Sequence, residues 1–223
     1  MQLPHSNCSS TISLTLTLTV TATAETLDGD ILCYLYDAAI NKAPLTNWCG
    51  AKSGGNYVNG PCSTGASAWK AVACTNGRVT SVDLYSAGVS GSNGLGGGSI
   101  PTQLGELTGL TYLDLPYNSL SGSIPPQLGG LTGLTVLNLY SNSLSGSIPS
   151  QLGELTGLTG LSFSTNSLTG PIPASFCSLQ PSIYLTVNSN PGLTCYPSCM
   201  ASYSWFMNNK GSLSAECPSG TPT

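Results

Sequence analysis

The chain of 223 residues carries a net charge of −4, and only 6% of its residues are charged, where ordinary soluble domains have about 25%; solubility therefore rests on Ser, Thr, Asn and Gly. Its basic residues, Lys42, Lys52, Lys70, Arg78 and Lys210, are scattered without a stripe, which argues against nucleic acid and anionic membranes as partners. A single histidine, His5, argues against nucleophile-plus-base catalysis, which needs a positioned base.

The first 26 residues read as a tail. Asn7-Cys8-Ser9 is the one N-glycosylation acceptor pattern in the sequence. Cys8 is the odd member of nine cysteines, open to a free state, an alternative partner or a bond to another molecule. Ile12, Leu14, Leu16, Leu18 and Val20 alternate with Ser and Thr, the pattern of a strand with one apolar and one hydroxylated face. An export signal ending at Ala22-Thr23-Ala24 is the competing reading, although Thr dilutes the apolar run and no Lys or Arg precedes it. The segment is too short and too polar for a membrane span. As a strand it either runs along its own cap or adds to the edge of a neighbouring molecule.

Residues 27–78 read as a cysteine-containing cap, with a short helix over Asp30-Ile31-Leu32-Cys33-Tyr34-Leu35. Cysteines fall in two terminal groups with none between Cys74 and Cys177, as expected where the open ends of a stacked core need cross-links. Spacing suggests Cys33–Cys49 and Cys62–Cys74 at one end, and Cys177–Cys195 with Cys199–Cys217 at the other, although spacing alone leaves connectivity open. A metal site is the weaker reading, because Cys195-x3-Cys199 has no accompanying His.

Residues 79–194 are dominated by a repeat. Leu110 to Pro125 returns as Leu134 to Pro149 and as Leu158 to Pro173, with the pattern L-x-x-L-x-L-x-x-N-x-L-x-G-x-I-P. A fixed period of this size means a solenoid, whose units bury their apolar faces only by stacking. The pairs Leu113/Leu115, Leu137/Leu139 and Leu161/Phe163 alternate as strand residues do. Asn118, Asn142 and Asn166 sit where the chain leaves that strand and are expected to bond the bend and the next coil as a polar ladder. Gly122, Gly146 and Gly170 suit a tight backbone, and Pro125, Pro149 and Pro173 are expected to deny the short segment a ladder partner. Leu128/Leu131 and Leu152/Leu155 fill the interior on the return. A weaker copy begins at Val79 and Val82 and resumes at Ser99-Ile100-Pro101 after a Gly-rich insertion; another, Leu185-x-Val187-x-x-Asn190, ends the array. Residues 195–223 form a second cysteine-containing cap.

These units, with Trp48-Cys49, Cys62 through Trp69 to Cys74, and Gly77-Arg78-Val79, resemble the extracellular leucine-rich-repeat proteins of the plant type, such as polygalacturonase-inhibiting proteins and receptor ectodomains. The resemblance implies an α/β solenoid: a right-handed superhelix of about five 24-residue coils between disulfide-stapled caps. It implies a secreted or cell-surface recognition protein with no catalytic residues, cofactor or metal. The cap departs from the family pattern, since Ala71-Val72-Ala73 replaces the usual Gly-Val pair.

Candidate ligand contacts follow from the strand alternation. Asp83, Asp114, Asn138, Ser162 and Thr186 occupy one outward column, expected on the concave face, with the two carboxylates as neighbours in adjacent coils. Beside it stand Tyr112 and Tyr184 on one side and Tyr85 and Tyr140 on the other, residues whose apolar body and polar tip suit binding. Three functions compete. The first is recognition of an extracellular protein or glycan by this face. The second is self-assembly into a structural fibril or wall layer through the N-terminal strand and Cys8, favoured by weak charge repulsion. Ice binding, resting on the column Thr111, Thr135 and Thr159, is a minor third. Light scattering separates the first two: assembly requires filaments from the full chain and folded monomers once residues 1–24 are deleted, whereas recognition requires monomers from both.

Overall fold

The computed structural model describes residues 28–33, 52–53, 56–57, 61–62, 71–84, 97–211, 213 and 216–218. The tail strand Ile12 to Val20, His5, Asn7, Cys8, Cys49 and Tyr85 lie outside the described residues.

Each coil opens with its Leu-x-x-Leu-x-Leu segment, whose alternation puts the leucines inside and leaves the intervening residues on a sheet surface. The strands β4 (Arg78–Asp83), β5 (Tyr112–Asp114), β7 (Val136–Asn138), β9 (Gly160–Ser162) and β11 (Tyr184–Thr186) lie parallel and in register. Val82, Leu113, Leu137, Leu161 and Leu185 oppose one another along the row. The strand β3 (Val72–Thr75) closes one edge of this six-stranded sheet in antiparallel sense. A separate antiparallel pair, β1 (Lys52–Ser53) and β2 (Asn56–Tyr57), precedes it. The Gly-rich insertion between the first two coils does not disturb the register, since Asp83 still opposes Asp114.

Inside the coils one continuous apolar cluster runs from Ile31 to Leu213, and Leu110, Leu113, Leu115, Leu134, Leu137 and Leu139 are all fully buried within it. Burial of this kind is the main favourable contribution to folding, roughly 1.5–3 kcal/mol for each such side chain.

After the strand the backbone bends, and the asparagines absorb the polar groups that the bend leaves inside. Asn142 Oδ1 accepts from the backbone N–H of Asn118 and of Leu120, while its Nδ2 donates to the carbonyls of Leu115, Leu139 and Tyr140. Asn166 and Asn190 repeat the arrangement one and two coils on, accepting from Leu144 and Leu168 and donating back to Leu139 and Phe163. The residue before each asparagine, Tyr117, Ser141, Thr165 and Ser189, has φ between 54° and 59°. This left-handed conformation is unfavourable for a side-chain-bearing residue, and no glycine in the sequence marks it.

The L-x-G-x-I-P segment departs from expectation. Rather than being kept from pairing by its proline, it forms a second parallel sheet from β6 (Ser121–Gly122), β8 (Ser143–Ser147), β10 (Ser167–Gly170) and β12 (Gly192–Leu193). Gly122, Gly146 and Gly170 have φ of 77° to 80° there, the region glycine enters without strain. The prolines act one step later. Pro101, Pro125, Pro149, Pro173 and Pro197 each stand at the N-cap of a 3-10 helix, and their carbonyls accept its first turn. These 3-10 helices stack closely. A Cβ on Gly105 would lie 2.4 Å from the carbonyl oxygen of Gln127, and one on Gly129 would lie 2.5 Å from that of Gln151, so only glycine fits.

The ends are closed differently. The helical residues 28–33 (α1) bury Ile31, Leu32 and Cys33 against the first coil. Asp28, fully buried, accepts from Arg78 Nε at 2.9 Å, Arg78 Nη2 at 3.0 Å and the Val79 N–H at 2.8 Å. That fork fixes the cap on the first coil through a charge-assisted pair. At the other end α2 (Ser204–Asn209) covers the last coil with Phe206, and the Tyr203 hydroxyl bonds the Leu179 carbonyl at 2.8 Å.

Cys62 is bonded to Cys74, and Cys33 is also disulfide-bonded. The C-terminal pairing differs from the sequence-based expectation: the bonds are Cys177–Cys199 and Cys195–Cys217, each across 22 residues, with Cα–Cα distances of 5.8 and 4.9 Å. The reason is coil geometry. Residues about one period apart stack side by side, whereas partners 18 positions apart fall out of that register.

Replacing Asn142 by Ala strips five hydrogen bonds from the bend. We expect a loss of about 3 kcal/mol or more, since the backbone groups left inside remain unpaired, read as a fall in the urea midpoint.

Candidate functional site

The register of the six-stranded sheet arranges its outward residues in two rows. One runs Ser81, Tyr112, Val136, Gly160, Tyr184, and the other runs Asp83, Asp114, Asn138, Ser162, Thr186. The structure therefore brings Asp83, Asp114 and Asn138 together and places Tyr112 and Tyr184 in one row three strands apart. Tyr140 follows Asn138 by two residues, and its N–H is bonded by the Asn138 carboxamide oxygen at 3.0 Å.

Asp114 is not the solvent-facing carboxylate that strand alternation suggests, because it is only 8% exposed. Its Oδ2 accepts from the Tyr112 hydroxyl at 3.1 Å, while its buried Oδ1 meets no donor in hydrogen-bond geometry among the described residues. Burial raises its pKa above the usual 3.8 and Asp83 adds to the rise; Tyr112, and more weakly Asn138, pull the other way. Tyr112 is raised in turn, first by burial and then by the Asp114 charge. The carboxylates form a pair, and among the described residues no group of three or more His, Cys, Asp or Glu side chains is placed to hold a metal ion.

Further along, the two rows enclose a groove of about 450 Å³. Tyr140 and Tyr184 border it, Gly160 is among its lining residues, and Asn138, Ser162, Ser164, Thr186 and Asn188 supply its polar lining. Two bonds link these polar groups: Thr186 Oγ1 donates to Ser162 Oγ at 2.9 Å, and Ser164 donates to Asn188. Tyr184 is 45% exposed and Tyr117 56%. Tyr117 meets the edge of Tyr140 with ring centroids 5.1 Å apart, an arrangement aromatic pairs favour. The Tyr117 contact had no signal in the repeat pattern, since its backbone turns left-handed there. The threonines singled out for ice binding, Thr111, Thr135 and Thr159, each donate the hydroxyl to the backbone carbonyl of the preceding coil.

The leucine-rich-repeat family profile matches residues 109–131, 133–155 and 157–179. Among solved structures, the BIR3–SERK2 complex from Arabidopsis thaliana is 31% identical, with a TM-score of 0.61 over 77% of this chain and 86% of that one. The leucine-rich-repeat ectodomain of the receptor kinase GASSHO1/SCHENGEN3 from Arabidopsis thaliana, in complex with CASPARIAN STRIP INTEGRITY FACTOR 2, is 34% identical. Its TM-score is also 0.61, but the match spans 78% of this chain and only 19% of that one. A plant ice-binding protein is 27% identical with a TM-score of 0.50, over 75% of this chain and 56% of that one. No curated protein matches. The chain belongs to the leucine-rich-repeat proteins, in their plant-type extracellular class.

The raised pKa of Asp114 has a stability consequence with a definite sign. A carboxyl whose folded pKa exceeds its unfolded value binds its proton more tightly when folded. Its contribution is thus largest at low pH and declines as pH rises from the ordinary carboxylate range through the folded pKa. Asp114→Asn, which has no charge to desolvate, is expected to raise the melting temperature more at pH 7 than at pH 3. Thermal unfolding at both values checks this.

Proposed function

We propose that this chain is a non-catalytic recognition module that works outside the cell and binds a protein or peptide across the face of the six-stranded sheet. In this reading the sheet is the concave side of a right-handed superhelix of about five coils over residues 79–194, flanked by the caps 27–78 and 195–223. Tyr112, Asn138, Tyr140 and Tyr184 form the contact surface with Asp83 at its edge, and the largely buried Asp114 lies beneath it, bonded to the Tyr112 hydroxyl. The observation that carries the reading is the groove itself: an open hollow bordered by Tyr140 and Tyr184 on the face of the six-stranded sheet. Support also comes from the relatives, two of which are ectodomain structures solved in complexes. The disulfides fit an oxidising compartment, and no helix among the described residues is long and apolar enough to cross a membrane. Glycan recognition is the same proposal with less support, because two of the solved relatives are complexes of proteins or peptides. Self-assembly through Ile12 to Val20 draws no support from the described residues. Ice binding would rest on Thr111, Thr135 and Thr159, which are exposed and whose hydroxyls each donate to a backbone carbonyl of the preceding coil.

The test is the double variant Tyr112→Ala, Tyr140→Ala. It is expected to keep its circular dichroism spectrum and to weaken binding of a protein ligand isolated with the wild-type chain by about a hundredfold, the effect of removing two aromatic anchors. Unchanged affinity in calorimetry would remove the sheet face as the binding surface.

A further inference from the structure

Gly160 is a glycine without a backbone reason. Among the described strands the other glycines are accounted for: Gly122, Gly146 and Gly170 have left-handed φ, and a Cβ on Gly192 would come within 2.6 Å of Thr169. Gly160 has neither constraint. A Cβ there would meet only Val136 side-chain atoms, at 3.7 and 3.8 Å, an ordinary contact. Glycine inside a strand is unfavourable because of its conformational freedom, and its presence often marks a place where a ligand or another chain comes close to the backbone. The equivalent positions in neighbouring coils carry Tyr112, Val136 and Tyr184, so Gly160 leaves a notch in an otherwise filled row, and that notch opens onto the groove it helps to line.

The surroundings say what fits the notch. No charged side chain lines the groove, so a charged group would lose its hydration there without compensation. Thr186 is bonded to Ser162 and Ser164 to Asn188, so part of the polar lining is already engaged within the protein. Tyr140 and Tyr184 stand on either side as apolar walls. An apolar or aromatic side chain satisfies all three conditions. Asp114 stands two strands from Gly160 and Asp83 three; together they give that end of the face its negative charge, and Asp83 is the more exposed of the two. Strands lie about 4.8 Å apart and an extended chain advances about 3.3 Å per residue, so these separations correspond to about three and four residues of a bound peptide.

We propose that Gly160 is the specificity notch of this face. It receives an apolar or aromatic side chain from an extended polypeptide that crosses the strands, and a Lys or Arg three or four positions away in the same segment faces Asp83 and Asp114. This rests on the sheet face being the binding surface.

The experiment pans the full chain against a displayed library of random twelve-residue peptides and measures the enriched peptides on three variants. The expected consensus holds an apolar or aromatic residue with a Lys or Arg three or four positions away. Gly160→Leu fills the notch and is expected to weaken these peptides at least about tenfold, the loss of one buried anchor, while its melting temperature stays equal or rises. A purely structural glycine would instead lose stability and affinity together. Gly160→Ala, whose Cβ has ordinary clearance, is expected to show a smaller loss and carries the test if the leucine variant does not fold. Peptides that bind Gly160→Leu as well as wild type, yet fail on the Tyr112→Ala, Tyr140→Ala variant, overturn the notch and leave the face. Peptides indifferent to both variants overturn both. A library that yields no enriched sequence, or a chain that binds cellohexaose in place of peptides, overturns the polypeptide assignment.

Discussion

The structure depends on a column of asparagine carboxamides buried at the bend of each coil. A coil that turns out of a strand toward the core carries backbone N–H and C=O groups inward, where water cannot reach them, and each unpaired group is costly. Asn142, Asn166 and Asn190 answer this with one side chain each, accepting from the preceding coil and donating both to that coil and to their own. Because each amide serves two coils, the ladder is also what sets their register. It further explains how Tyr117, Ser141, Thr165 and Ser189 are held in a left-handed conformation that side-chain-bearing residues avoid. The bend is over-determined by the hydrogen bonds around it.

With the bends fixed, the two faces of the solenoid serve different ends. On one, the short segments and 3-10 helices pack so closely that Gly105, Gly129 and Gly153 leave no space for a side chain. On the other, the strands keep ordinary sheet pairing and turn every second side chain outward. The helix contacts on the first face are close-packed, although a hollow of about 640 Å³ opens between its short strands and prolines, and the second face is left for side chains to decorate.

Much of this was legible in the sequence because it is periodic. The leucines, the asparagine ladder and the row containing Asp83, Asp114 and Asn138 follow from a repeat that fixes which residues stack. What escaped was whatever depends on one particular pair of side chains or on an unrepeated contact. The fork between Asp28 and Arg78 joins residues 50 apart with no motif between them. Burial of Asp114, whose carboxylate is bonded to the Tyr112 hydroxyl, does not follow from strand alternation. The left-handed residues before each asparagine are not glycines, so composition does not flag them. A proline in a short strand suggests a block to pairing, whereas here its fixed φ starts a 3-10 helix. The C-terminal disulfides join cysteines 22 residues apart, a pairing decided by stacking of coils and not by proximity along the chain. The notch at Gly160 was hidden by the strength of the repeat itself, in which a missing side chain looks like ordinary variation.

The two C-terminal disulfides have a mechanical consequence. A stack whose units touch only their neighbours comes apart by peeling from an open end, one turn at a time. Cys177–Cys199 and Cys195–Cys217 each tie residues that lie one turn apart, so the last turns cannot detach singly and must lift away together. Pulled from its C-terminus, the solenoid would resist as a ratchet with its final teeth locked, and reduction would turn that abrupt release into a gradual unwinding.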